Sequence, residues 1–469
     1  MPAASTPTLR RRPSEVVAVI GAGASGTLVA AHLLRASQRG WRVILVDRES
    51  HARGAAYSTR DPRHRLNVAA GRMSAFDDDP DDFVRWCRAR GRATGEHDYE
   101  PRQIYGDYLR GLLERFASPG ELELVRNRVV SVTRGGERQP LTVAFRDGRS
   151  LRADAAVVAI GNPNPAPLAN RGCGRRVIDD PWNPRSLERM RDARTIAIVG
   201  TGLTAIDISL SVAAASPAAT ILAISRHGLL PCAQSAEEAA AVPSPFATDR
   251  RRLALSELVE GVFDAVAAQP ASWRAVIDSL RPQTATLWQA LDVEERRTFM
   301  LELKWLWDAH RHRMAPAVAQ EIAELRARGR LSVRAASVMS VRGADASVEI
   351  AIDDDAGRHE LSVDYVVNAT GPAGAITSHP DPLVRQLLSG GLARADELGI
   401  GFACRRDGAL LDRAGGADGR LFTLGPPRRG ELLESTAVPE IRTQAAMISA
   451  TLVARGALAA AQRPALAVG

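Results

Sequence analysis

Two glycine-rich turns carry the most specific chemical signal in this chain. Val16-Val17-Ala18-Val19-Ile20 runs into Gly21-Ala22-Gly23-Ala24-Ser25-Gly26, and Ile196-Ala197-Ile198-Val199 runs into Gly200-Thr201-Gly202-Leu203-Thr204-Ala205. An apolar strand that ends in this spacing and opens a helix is a device for holding a pyrophosphate. The first glycine permits the tight turn, the second lets the backbone approach the phosphates, and the third lets helix and strand pack closely. The helix N-terminus then offers unpaired N–H groups and a positive dipole. Gly21, Gly23, Ser25 and Gly26 are candidates at the first turn, and Gly200, Gly202, Leu203 and Thr204 at the second. After the first, the strand Arg42-Val43-Ile44-Leu45-Val46 ends in Asp47 and Arg48, with Asp47 placed 21 residues beyond Gly26. A carboxylate there accepts hydrogen bonds from ribose hydroxyls. The second copy has Ser225-Arg226-His227 at that point and no acid. Losing the carboxylate removes repulsion of a 2′-phosphate, and Arg226 can grip one; the other reading of Arg226 is a solvated surface residue. The pair predicts FAD in the first turn and NADPH in the second.

The elements that must position these residues repeat as well. Each turn is followed, much later, by a strand-hairpin-strand block: Leu122 to Ile160, with Asp147-Gly148 as its turn, and Leu331 to Thr370. The blocks close on Val157-Val158-Ala159-Ile160-Gly161 and Val366-Val367-Asn368-Ala369-Thr370-Gly371, which places Gly161, Thr370 and Gly371 near bound nucleotide or in plain structural turns. The predicted fold is α/β: two Rossmann-like dinucleotide-binding domains, three-layered with antiparallel β layers, plus an all-α insertion. The insertion is read at 235–330, where apolar residues recur at helical spacing (Leu253, Leu258, Val262, Val266; Phe299, Leu303, Leu306). The boundaries are 1–190 for the first part of the FAD domain, 191–371 for the NADPH domain and 372–469 for the C-terminal part of the FAD domain. The first helix is expected to reach Gln38. A short strand ends at Gly425, a helix runs from Pro439 to Ala454 with Thr436 ahead of it, and the last dozen residues form a frayed tail. The N-terminus of that late helix should favour negative charge on a reduced flavin.

Composition narrows the function classes. The 469 residues carry 61 basic and 54 acidic side chains, yet Lys304 is the single lysine, so Schiff-base chemistry has one candidate, set in a helix among tryptophans. The arginines are scattered among acids rather than gathered, which argues against nucleic-acid binding. The four cysteines (Cys87, Cys173, Cys232, Cys404) form no CxxC pair, which excludes a disulfide reductase. No apolar run approaches a membrane span, and the basic N-terminus lacks the apolar core of a secretion signal. A cytoplasmic protein is expected, with homo-oligomerisation left open.

Over nearly its whole length the chain resembles the two-dinucleotide-binding-domain flavoproteins, and within them a widespread bacterial FAD/NAD(P)-binding family. The shared stretches are Gly54-Ala55-Ala56-Tyr57-Ser58, Leu66-Asn67 through Ser74-Ala75-Phe76, Pro101-Arg102-Gln103-Ile104-Tyr105-Gly106, Ser225 to Pro231, Trp307 to Pro316, Leu424-Gly425-Pro426 and Glu434 to Arg442. The resemblance extends to N-hydroxylating flavin-dependent monooxygenases. It implies an NADPH-dependent FAD enzyme that forms a C4a-hydroperoxyflavin and oxygenates a small nucleophilic substrate, here the amine nitrogen of an amino acid or related compound, with O₂ as co-substrate. It also implies that Met73 packs on the flavin, a core methionine being the plainer reading, and that Asn67 faces substrate. The alternatives are an NADPH-dependent flavin reductase or dehydrogenase, and a redox-sensing flavoprotein acting through a partner.

Two clusters stay outside the nucleotide logic. His310-Arg311-His312-Arg313 offers His310 and Arg311 as contacts to a substrate carboxylate or phosphate, or else a solvated or capping helix end; helical spacing predicts His310 and Arg313 on one face. The run Asp77 to Asp82 is read as a helix start, Asp79 capping with Pro80 first, rather than as a metal site. No metal is expected.

Overall fold

The strands beside both glycine turns are apolar at nearly every position, so each must be covered on both faces, which is the requirement of a parallel sheet between layers. The computed structural model describes residues 15–36, 41–48, 53–136, 139–168, 174–235, 240–246, 251–344 and 346–461, without the side chains of 184 and 456–461. It holds two five-stranded sheets, parallel throughout. The first runs in the order Leu421–Thr423, Ala155–Val158, Val16–Ile20, Arg42–Asp47, Leu122–Arg126. The second runs Val177–Ile178, Tyr365–Asn368, Thr195–Val199, Thr220–Ser225, Leu331–Ala335.

Each sheet is backed on one face by a three-stranded antiparallel layer. Val129–Thr133, Leu141–Phe145 and Ser150–Ala153 cover the first, and Ser337–Gly343, Val348–Asp354 and Gly357–Val363 the second. Gly148 takes φ +86°, as the expected Asp147-Gly148 turn requires. Ala18, Ile20, Val143 and Val158 close one such interface and Ala197, Val199, Ile350 and Val366 the other. Helices fill the opposite faces: Ala24–Arg35 with Arg102–Phe116 and Val438–Ala461 in the first unit, Leu203–Ala215 with Pro316–Ala327 in the second.

Several expected boundaries move. The second sheet takes its edge strand from Val177–Ile178, so the second unit begins before 191. The insertion closes earlier than 330: Met314 N–H donates to Cys232 O (2.8 Å) and Gln234 N–H to Met314 O (2.8 Å), pinching the chain into a neck. Beyond that neck, Pro316–Ala327 buries Val318 and Ile322 against the second sheet's helix, so it belongs to the nucleotide unit although it is helical like the insertion. The first helix ends at Arg35, and the expected stretch to Gln38 runs into residues outside the described ones. The late helix extends to Ala461 rather than stopping at Ala454, so the expected tail is helical at its start and otherwise lies outside the described residues. The helix after the acidic run starts at Asp82, not at Pro80, because Asp79 is turned onto Arg85 (2.7 Å). Its neighbours are paired too, Asp78 with Arg35 and Asp82 with Arg115 and Tyr108.

Candidate nucleotide and substrate sites

At the first turn the three glycines differ in why they must be glycine. Gly21 has φ +104°, and a Cβ there would lie 2.3 Å from Ala159 O. A Cβ on Gly26 would lie 1.8 Å from Gly21 O. Both are demanded by the protein's own packing. Gly23 has φ −76° and ψ −170°, which any residue adopts, and its Cβ would meet only Gly54 Cα, at an ordinary 3.5 Å. Among the described residues nothing crowds a Cβ there, so packing does not account for a glycine at this position. Asp47 closes the next strand with its Oδ2 accepting the Ala22 N–H at 2.7 Å, which locks the carboxylate beside the turn. Arg48 is exposed beyond it.

The same test separates the glycines of the second turn. Gly200 has φ +112°, with Ala369 O 2.2 Å from its hypothetical Cβ. Gly202 has φ −74° and ψ −174°, and nothing lies within 4 Å of a Cβ placed on it. Leu203 and Thr204 open the helix, whose first N–H groups lack intrahelical acceptors. Ser225 takes the place of Asp47, its Oγ accepting from Thr201 Oγ1 at 2.9 Å. Arg226 is exposed and makes no hydrogen bond or ion pair with any described residue, so its guanidinium is available to an anion. Beside it, His227 stacks on Trp305 (3.9 Å between centroids, 16°), a flat platform contributed by the insertion. Trp305 carried no sequence signal, because the contact joins segments far apart in the chain.

Parallel strands put all their carboxyl ends on one edge, so the remaining candidates gather there. Gly161 (φ +70°) and Gly371 (φ +86°) follow the strands next to each glycine turn, and neither has an atom within 4 Å of a hypothetical Cβ. Thr370 is exposed, with its hydroxyl donating to Asn368 Oδ1 (2.7 Å). Gly425 (φ +73°) presses on the start of the first helix: a Cβ there would meet Ser25 Oγ at 2.7 Å, and its N–H donates to Gln444 Oε1 (2.9 Å). Ser25 is buried where the Gly425 loop meets the first helix, while Thr436 stands exposed just before Val438.

Other candidates are corrected. Met73 is 2% exposed within the first unit's core, so its side chain has no free face for a ring. Arg311 is not available to a substrate: it makes a two-pronged pair with Glu434 (2.8 and 2.9 Å), tying the insertion to the loop ahead of Val438–Ala461. His310 and Arg313 do not share a helical face, because the helix ends at Arg311 and Arg313 turns under it, buried, onto Asp278 (2.6 and 2.7 Å) and Gln234 (2.8 Å). Asn67 is half-buried, and its carbonyl accepts from Gln234 Nε2 (3.2 Å), so the Asn67 segment is linked through Gln234 to Arg313. His310 donates from Nδ1 to Leu306 O (2.9 Å), lies edge-on to Trp273, and faces an apolar crevice.

A buried polar cluster that sequence reading missed joins the two units. Arg102 pairs with Asp207 (2.8 Å), and His64 Nε2 meets Ser211 Oγ (2.7 Å). Ser211 donates to Asp61 (2.7 Å). Burial raises the Asp207 carboxyl, with Arg102 opposing, and burial lowers His64. Burial alone would raise Asp61, but hydrogen bonds from Arg63 and Ser211 hold it at about 2. Cys87, Cys232 and Cys404 are free, and burial raises all three, Cys87 to about 11, so none is a ready thiolate. Lys304 pairs with Asp308. Among the described residues no His, Cys, Asp and Glu cluster could hold a metal, and no helix is long and apolar enough to cross a membrane.

The fold is that of the two-dinucleotide-domain flavoproteins. The family model described as FAD-NAD(P)-binding matches residues 18–163, which spans the first glycine turn and its strand partners. Among solved structures, the ornithine N-hydroxylase of Kutzneria sp. 744 is 18% identical, with a TM-score of 0.65 over 95% of this chain and 100% of that one. The cadaverine monooxygenase of desferrioxamine biosynthesis from Erwinia amylovora is 12% identical, with a TM-score of 0.68 over 95% of each chain. The L-lysine 6-monooxygenase of Pseudomonas syringae is 15% identical, with a TM-score of 0.66 over 94% and 99%. At these identities the likeness is one of fold. No curated protein matches the chain in sequence.

Proposed function

We propose that this chain is an NADPH-dependent FAD monooxygenase that oxygenates a nucleophilic atom, an amine nitrogen, of a small molecule. The observation that carries the reading is the pair Gly23 and Gly202. Neither is required to be glycine by backbone conformation or by the described packing, and each stands at a helix N-terminus where a pyrophosphate would lie. The two sites then differ where the nucleotides differ, with Asp47 held by Ala22 for a ribose and exposed Arg226 for a 2′-phosphate. The class of reaction rests on the whole-length likeness to the N-hydroxylating structures.

Bound FAD would take a hydride from NADPH and activate O₂, and that chemistry belongs to the cofactor. The chain's own residues bind, orient and exclude water. Gly23, Ser25 and Gly26 would present backbone N–H groups to one pyrophosphate, and Gly202, Leu203 and Thr204 to the other, while the N–H groups of Gly21 and Gly200 are held by Val46 O (2.8 Å) and Ile224 O (2.7 Å) and shape the turns. Arg311 and Glu434 fix the insertion over the loop that carries Thr436. No side-chain acid or base is required for nitrogen oxygenation by this route. The test is NADPH oxidation by the FAD-loaded protein with a panel of amines, following hydrogen peroxide and hydroxylamine together. Peroxide should fall as oxygenated nitrogen appears. Peroxide equal to NADPH consumed with every amine would replace the reading with that of a reductase.

A further inference from the structure

The apolar residues that repeat at helical spacing in the insertion do not all pack into a closed core. Between the helix Leu255–Ala268 and the helices Trp273–Ser279, Thr284–Ala290 and Lys304–Arg311 lies an open crevice of about 450 Å³. That volume falls within the roughly 300–1,000 Å³ of small-molecule sites. Trp273, Trp288, Trp307 and Phe299 are among the aromatic residues of its wall, and Leu258 and Val262 of the helix Leu255–Ala268 line it too. Phe299 is presented by a π-type turn, Phe299–Leu303, a wide helical turn frequent at functional sites.

Two of the wall's polar groups are engaged elsewhere. The Thr284 hydroxyl donates to Leu280 O (3.0 Å), and the Trp288 indole N–H donates to Gly430 O (2.8 Å). His310 is the one ionisable side chain among the described lining residues, and no arginine, lysine, aspartate or glutamate joins it. Its Nδ1 faces a carbonyl, which can only accept, so the neutral ring offers Nε2 as an acceptor. Besides the indole N–H groups of Trp273 and Trp307, the crevice therefore offers one acceptor and, among the described lining residues, no side chain of fixed charge to pair with a carboxylate or an ammonium. A zwitterionic amino acid or a diamine lodged there would leave a buried charge unpaired, which is strongly unfavourable.

The crevice is also continuous with the segment that leads to the nucleotide site. Leu433 lines it, at φ +58°, in a tight turn closed by Glu434 N–H donating to Leu432 O (2.6 Å). Leu433 stands between Gly430, whose carbonyl Trp288 holds, and Glu434, held by Arg311. That loop runs on through Thr436 into Val438–Ala461, which packs in the first unit beside Gly425. Backbone strain of this kind collects where a ligand is gripped.

Resting on the monooxygenase reading above, we propose that this crevice receives the apolar body of the substrate, and that the substrate is a hydrophobic amine with a long aliphatic or aryl-alkyl group and no second charge. The compact charged amines named for the structural neighbours do not match its lining.

The test uses FAD-loaded protein and the series of n-alkylamines from butylamine to decylamine. Binding is followed by tryptophan fluorescence and oxygenation separately by hydroxylamine formation. Affinity should rise about fourfold per added methylene. Val262→Trp fills the crevice from a half-buried position and should weaken decylamine binding at least tenfold, with FAD content, NADPH-dependent flavin reduction and butylamine binding unchanged; Val266→Trp, one turn on, is the independent variant. A flat chain-length series alongside oxidation of compact amines would overturn this proposal and leave the monooxygenase reading standing. Binding that climbs with chain length, without oxidation of any amine, would reject the monooxygenase reading and with it the substrate role of the crevice. A flat series together with a dimer that Val262→Trp dissociates would assign the crevice to a second copy of the chain.

Discussion

The two nucleotide units are built in the same strand order and differ in where that order is completed. In the first sheet the edge strand next to Ala155–Val158 is Leu421–Thr423, supplied from far downstream; in the second, the equivalent edge beside Tyr365–Asn368 is Val177–Ile178, supplied from upstream. The glycine turns diverge in parallel. Gly21 (φ +104°) and Gly200 (φ +112°) are equivalent, each against the carbonyl just beyond the neighbouring strand, Ala159 O and Ala369 O. The third position is Gly26 in the first turn, where a Cβ would strike Gly21 O, and Ala205 in the second, where a methyl is buried without conflict. The strand-end partner is a carboxylate locked by Ala22 in one unit and a serine bonded to Thr201 in the other. Gly21, Gly200 and Gly26 are thus explained by packing, whereas Gly23, Gly202 and the contrast of Asp47 with Ser225 and Arg226 are not, and these are the positions the proposed nucleotides would account for.

That division can be broken most sharply at the glycines. Gly23→Val should leave the apoprotein folded but reduce FAD retention beyond detection, since the side chain occupies the approach of the pyrophosphate. Gly26→Val should instead prevent folding, as its Cβ would start 1.8 Å from Gly21 O. Circular dichroism and flavin absorbance on both purified variants decide the matter; a folded, yellow Gly23→Val protein would remove the first assignment.

The next largest effect is expected at Arg311, whose pair with Glu434 is about nine-tenths buried on both sides. Removing one partner leaves a buried charge, a loss of about 3–5 kcal/mol in stability. Arg311→Met should therefore lower the unfolding midpoint in urea, and Arg311→Met with Glu434→Gln should recover much of it. A single variant that keeps its stability and loses only substrate affinity would restore Arg311 to the substrate site.

Arg226 comes third. One charge-assisted phosphate contact is worth about 1.5–3 kcal/mol, or roughly 10- to 150-fold in affinity. Arg226→Ala should raise the dissociation constant for NADPH by that factor and leave NADH nearly unchanged. Equal losses for both would make Arg226 a structural residue and blur the contrast with Asp47.

The smallest effect sits between the units. Burial lowers the pKa of His64 below its unfolded 6.5, so the unfolded chain takes up this proton first as pH falls. Stability is then unaffected by this group above about 6.5 and declines below it, by at most about 1.4 kcal/mol per pH unit until the folded pKa is passed. His64→Gln should flatten the drop in melting temperature between about pH 6.5 and 5.5. An unchanged slope would show that His64 does not report on contact between the units.

What could be read from the sequence was local. The strand–glycine–helix turns, the acid at Asp47 and its absence at Ser225, and the strand-hairpin-strand blocks all depend on neighbours within one supersecondary unit, where spacing alone dictates geometry. Helical periodicity in the insertion was equally legible. Periodicity reports that one face is apolar, however, and is silent on what covers it. Tertiary structure alone decided that Leu258, Val262 and Phe299 line an open crevice, that Pro316–Ala327 belongs to the nucleotide unit, and that Arg311 is bound to Glu434 while Arg226 is bound to nothing described. The cluster of Arg102, His64, Asp207 and Ser211 was invisible for the same reason. Its members are ordinary residues in their own segments, and only the apposition of the two units removes them from water and makes each require the others.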